Sequence, residues 1–143
     1  VDAVLAAVGD QARFSVFDLA EAALAREPGR AVRALGILRA EGAHLPPVIG
    51  GLAWEVRNLI ALRGRLARGG DAESACRDLR IYPPRKSAMV ARARDLPEGT
   101  AEEVLAGLAR ADRLAKGAGD GDAWAAVEDA VLVLAGSPIG IAR

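Results

Sequence analysis

The sequence predicts an all-α fold, a compact bundle of about six to seven helices, and three observations carry that prediction. The first is alanine: 32 of the 143 residues. Alanine is the best helix former and is small enough to let helices approach closely. The second is the recurrence of apolar residues at helical spacing, clearest in Ile49, Leu52, Val56, Leu59 and Ile60. The third is that no stretch alternates between apolar and polar residues long enough to make a half-buried strand.

The elements follow in order. Val1–Val8 reads as a short amphipathic helix with Val1, Val4, Leu5 and Val8 on one face, and residues 1–12 read as the tail of a preceding domain or a linker. The main helical domain is expected over residues 13–143. Ser15 and Asp18 form a capping-box pattern opening a helix to about Arg26, with Phe17, Ala20 and Leu24 on one face. Pro28 and Gly29 break it. The next helix, about Gly29–Ala40, carries Val32, Leu35 and Leu38 and stops at Gly42, so the two make a short antiparallel hairpin. Pro46 and Pro47 open the longest helix, which ends before Gly69-Gly70, and Asp71 caps a short helix through Leu79.

Tyr82-Pro83-Pro84 forces an extended or turned segment, because proline disfavours the helical conformation in the residue before it. A helix then runs from near Arg85 to about Asp95. After Pro97, Thr100 and Glu103 make a second capping-box pattern, and Val104, Leu105, Leu108, Ala111 and Ala115 are expected to face inward. Gly117–Gly121 is a turn. Asp122 caps the last helix, where Trp124, Val127, Val131 and Leu134 share a face.

Composition bounds the function. The 19 bases balance 19 acids, and 52% of residues are hydrophobic. The length fits one domain, and the aliphatic content excludes disorder. No run approaches the ~18 apolar residues of a membrane span. Charge balance argues against the broad basic footprint of a general nucleic-acid binder. Cys76 is the only cysteine and His44 the only histidine, so no internal disulfide forms and a metal site has few ligands available. These features describe a cytoplasmic domain with little catalytic equipment.

Tests for chemistry are negative. Lys116–Gly121 is glycine-rich, but its lysine precedes the glycines, no strand leads into it and no hydroxyl follows, so it is not a phosphate loop. Asp120 and Asp122 lack the third ligand and the distal glutamate of a calcium loop. His44 reads as a loop or cap residue, and Cys76 as an inert, partly buried thiol. No catalytic residue, cofactor or metal is expected, and an enzyme built on Cys76 or His44 is the least favoured reading.

Two surface features stand out. On a wheel of 100° per residue, Trp54 falls with Arg57, Asn58, Ala61 and Arg65, opposite the apolar stripe of the long helix. Tryptophan beside arginine is the composition of a protein–protein hot spot, so Trp54, Arg57, Asn58 and Arg65 are the candidate partner interface. The competing reading packs this helix on both sides. Separately, Arg80, Arg85, Lys86 and Arg92, with Arg94, cluster around Tyr82-Pro83-Pro84. They are candidates for contact with nucleic acid or an acidic partner, against the commoner reading of a solvated, salt-bridged face.

The sequence also resembles a known family. Phe14-Ser15-Val16-Phe17-Asp18-Leu19, Ala31-x-x-Ala34-Leu35-x-x-Leu38-x-x-Glu41-Gly42 and the Leu52–Leu59 helix are similar to the C-terminal domain of the delta subunit of bacterial DNA polymerase III. So are Tyr82-Pro83-Pro84-x-x-x-Ser87, Ala111-Asp112-x-x-x-Lys116-Gly117 and Trp124-x-x-Val127-Glu128-x-x-Val131-x-x-Leu134. Order and spacing match across about Phe14–Ala135. Pro84 departs from the pattern, which usually has a more apolar residue there.

The resemblance implies a collar domain: a helical module that joins the equivalent domains of the other clamp-loader subunits in a pentameric ring. Contact with the sliding clamp would belong to an ATPase-like N-terminal part outside this chain. The start at Val1, with no methionine, is consistent with a piece of a longer subunit. The implied role is assembly of the complex that loads the clamp during DNA replication, with no ATP hydrolysis by this domain and weak DNA contact as the alternative.

Overall fold

The computed structural model describes residues 16–137. Among these it has α1 (16–24), α2 (Pro28–Ala40), α3 (Leu45–Ala67), α4 (Ala72–Asp78), a single 3-10 turn at Pro83–Arg85, α5 (Lys86–Asp95), α6 (Thr100–Ala115) and α7 (Ala123–Leu134), with no strand. The Val1–Val8 helix and the Ser15 cap of α1 fall outside the described residues.

The 23-residue α3 is the axis of the bundle. It packs against α4, α5, α6 and α7, while α2 lies on α7 and, among the helices from α2 to α7, the most extensive pair is α6 with α7. Its inward side repeats at three- and four-residue steps through Val48, Leu52, Val56, Leu59 and Leu62, all buried. Alanine supplies much of the rest of the core: Ala20, Ala22, Ala23, Ala31, Ala101, Ala111, Ala126 and Ala130 are buried. Such small side chains let helices come close. A Cβ on Gly107 of α6 would lie 3.4 Å from the Ala130 Cβ of α7, and one on Gly51 of α3 would meet Val16 of α1 at 2.7 Å.

Helix ends explain the connections. Asp71 accepts a hydrogen bond from the Ser74 amide (2.9 Å) and Asp122 one from the Trp124 amide (3.0 Å), so both expected caps form. α4 ends in a Schellman motif, with the Ile81 amide on the Cys76 carbonyl and the Arg80 amide on that of Arg77. The left-handed residue of this motif is Arg80 (φ 57°), and α1 ends the same way at Arg26 (φ 62°). These positions usually carry glycine.

Three expectations need correction. α1 stops at residue 24, because Arg26 turns left-handed instead of extending the helix. Thr100 and Glu103 form no capping box: Gly99 (φ 86°) is the N-cap, and Thr100 is already the first helical residue. Ala115 is exposed, since the inward face of α6 runs out after Ala111.

Candidate functional site

The candidate site grows from the turn after α4. The left-handed Arg80 swings the chain out of the helix, Ile81 is buried, and the two prolines hold Pro83–Arg85 in a 3-10 turn that runs directly into α5. This segment, α1 and the middle of α3 enclose a groove of ≈ 740 Å³ lined by Phe17, Asp18, Glu21, Trp54, Arg80, Ile81, Tyr82, Pro83, Pro84 and Arg85. Its size lies in the range of sites that take a small ligand or a short peptide segment. Trp54 and Tyr82 line it with rings that remain 45% and 54% exposed, two of the few large apolar side chains on the surface.

Beneath the groove lies an ion pair that the sequence reading missed. Glu55 and Arg85 are 2% and 3% exposed, and the Arg85 Nη2 donates to Glu55 Oε1. The Arg85 guanidinium also lies 4.8 Å from the centre of the Phe17 ring, so one cation joins α1, α3 and the turn before α5. Its Nε and Nη1 are buried with no hydrogen-bond acceptor. Burial pushes the Glu55 carboxyl above its ordinary pKa, with the hydrogen bond and charge of Arg85 pulling the other way.

A second buried arginine ties helix ends together. Arg92 donates from Nη1 to Asp95 Oδ1 (3.0 Å) and from Nη2 to the Leu134 carbonyl (2.5 Å) at the end of α7. Asp95 also accepts from Arg26 (3.2 Å). A cation placed on the last carbonyls of a helix satisfies orphan acceptors and meets the negative end of the dipole.

The structure therefore separates the residues singled out from sequence. Trp54 and Arg57 are exposed on α3. Asn58 is half-buried, with its Nδ2 lacking a partner, and Arg65 pairs with Asp78 of α4 at 2.7 Å. The expected basic face is not continuous: Arg80 is exposed, Lys86 pairs with Glu73, and Arg85 and Arg92 are interior. Interior guanidinium groups already committed to Glu55 and to Leu134 present no surface to a phosphate backbone. His44 is the exposed N-cap residue of α3 and makes no side-chain cap bond. Cys76 is buried, and burial pushes its thiol pKa up, the direction of an unreactive thiol. No cluster of three metal-ligating side chains occurs among the described residues, and no described helix is long and apolar enough to cross a membrane.

A helical phase signal for both buried arginines and for Glu55 was present in the sequence. Val48, Leu52, Glu55, Leu59 and Leu62 step by three and four along α3, and Arg85, Met89, Arg92 and Leu96 do the same across α5. A charge in phase with a buried stripe requires a partner.

No family model matches the sequence, and no curated protein does. The fold is similar to a solved structure of the Bacillus subtilis DNA clamp loader delta protein (YqeN), with a TM-score of 0.67 and 17% sequence identity. The likeness covers 87% of this chain and 37% of that one, so the chain spans just over a third of the length of the structure it matches.

Proposed function

We propose that this chain is the helical collar domain of a delta-type clamp-loader subunit, an oligomerisation module with no catalytic step of its own. The observation that carries the reading is the similarity of fold, which takes in 87% of this chain but little more than a third of a clamp loader delta protein. The exposed Trp54 beside Arg57 on the central helix supports it, being the kind of anchor on which subunit contacts concentrate. Its partners in this reading are the C-terminal domains of the other clamp-loader subunits, in the cytoplasm where DNA is replicated. Contact with the sliding clamp belongs to a part of the subunit outside this chain.

The sparse catalytic equipment of the sequence is in keeping with that division of labour. A shielded Cys76 and a lone His44 provide no nucleophile–base pair. The burial of Arg85 and Arg92 takes two bases away from the nucleic-acid alternative and leaves Arg80, Lys86 and Arg94 to carry it.

Mixing the chain with the C-terminal domains of the other subunits and measuring mass by light scattering tests the reading. Heteromers are expected at micromolar concentration, weakened by Trp54→Ala and by Arg57→Ala. Failure of the folded chain to associate with any of them overturns it.

A further inference from the structure

The geometry points to the groove between α1, α3 and the Arg80–Arg85 turn as a docking site for an extended, proline-containing peptide segment that carries a basic residue. This goes beyond the assembly reading and does not depend on it. Three observations select the ligand.

The walls are flat and rigid. Trp54, Tyr82, Pro83 and Pro84 offer ring surfaces that lose little conformational freedom on binding, and grooves of this kind recognise polyproline II segments. The pre-extended ligand likewise has little entropy left to lose.

Hydrogen-bond donors at the groove lack acceptors. Arg80 lines the groove, is exposed and makes no side-chain hydrogen bond or ion pair among the described residues, so its guanidinium is the donor group a ligand meets there, while the Nε and Nη1 of Arg85 lie buried behind it. A helix brings few free carbonyls to such donors, because its own ladder uses them. A polyproline II segment has no internal hydrogen bonds and presents its carbonyls to its surroundings.

Charge sets the basic residue. Asp18 and Glu21 stand three positions apart on α1 and both line the groove, so two carboxylates lie within reach of one lysine or arginine on the ligand. Asp18 makes no salt bridge among the described residues, and the contact of Glu21 with Arg30 is a loose 3.8 Å.

The test titrates the full chain with three short synthetic peptides, followed by amide and indole chemical shifts in NMR. One is proline-rich with a terminal arginine pair, one has those arginines replaced by glutamate, and one is an amphipathic helix of the same charge as the first. Saturable shifts at the Trp54 indole and around residues 80–85 are expected with the first. Affinity should fall at least about tenfold with the glutamate peptide, in Tyr82→Ala and in Asp18→Lys. Absence of saturation with the proline–arginine peptide, equal or tighter binding of the helical one, or undiminished affinity in Tyr82→Ala overturns the proposal. The titration follows peptide binding to the chain alone whereas the assembly test follows the mass of mixtures with the other domains, so failure of the one is read separately from failure of the other.

Discussion

Arg85 holds three elements with one charged group, and removing either end of its pair has unequal consequences. Arg85→Ala leaves the Glu55 carboxylate interior and unpaired and removes the cation over Phe17. Breaking a buried pair from one side costs about 3–5 kcal/mol. Glu55→Gln keeps an acceptor for Arg85 but leaves its permanent charge buried without a counter-ion, so it too should destabilise the fold, whereas the carboxyl left alone in Arg85→Ala can take up a proton. The pH dependence has a definite sign. Because the folded-state pKa of Glu55 is raised, the folded protein is the better proton binder, and its contribution to stability is greatest below the unfolded value and declines as pH rises through the folded one. Urea midpoints measured across the acidic to neutral range should show wild type losing ground to Glu55→Gln as pH increases. A gap that is constant with pH would contradict this. Both partners were legible as buried from their phase along the helix; what the sequence hid was the pairing, because 30 residues separate them and only the return of the chain beside α3 brings them together.

At the scale of elements, helix positions were largely readable, since apolar phase and side-chain caps are local properties. Asp71 and Asp122 cap as expected because each needs only an amide two or three residues on. Thr100 was misread because the competing signal, a glycine able to turn left-handed at residue 99, sits directly before it. Close helix approach was not readable at all: among the mid-helix glycines, Gly36, Gly50 and Gly51 look alike in sequence and differ only in their neighbours. A Cβ at Gly36 or Gly50 meets nothing within 4 Å, whereas at Gly51 it meets Val16 at 2.7 Å. Gly36→Ala and Gly50→Ala should each stabilise the fold by about 0.5–1 kcal/mol through helix propensity. Gly51→Ala should fall short of them and lower the unfolding midpoint, because the stiff, β-branched Val16 must move and α1 with it. Chemical denaturation of the three single variants decides this, and equal stabilisation by all three would refute the α1–α3 contact.

For the whole molecule, the alanine-rich interior places few large side chains outside, and those exceptions organise the assembly question. Trp54 and Tyr82 mark one surface, beside α1 and the Pro83–Arg85 turn; Ile37, 55% exposed on α2, marks another on the helix that packs against α7. Near it, the guanidinium of Arg39 lies 5.7 Å from the centre of the Trp124 ring, stiffening the α2–α7 seam. Under the proposed collar role each domain meets two different neighbours, through two different faces, because head-to-tail ring contacts are heterologous. Trp54→Ala and Ile37→Asp should then act on different contacts. In mixtures with the other C-terminal domains, each variant should stop at a complex that lacks one neighbour, and the two complexes should contain different partners. The double variant should remain alone while its helical circular dichroism and urea midpoint stay near those of wild type, since neither side chain belongs to the core. Light scattering with mass identification of each species reads the result directly. Loss of the same neighbour in both single variants would place Ile37 and Trp54 on one interface, and full assembly by the double variant would remove both surfaces from the collar contacts.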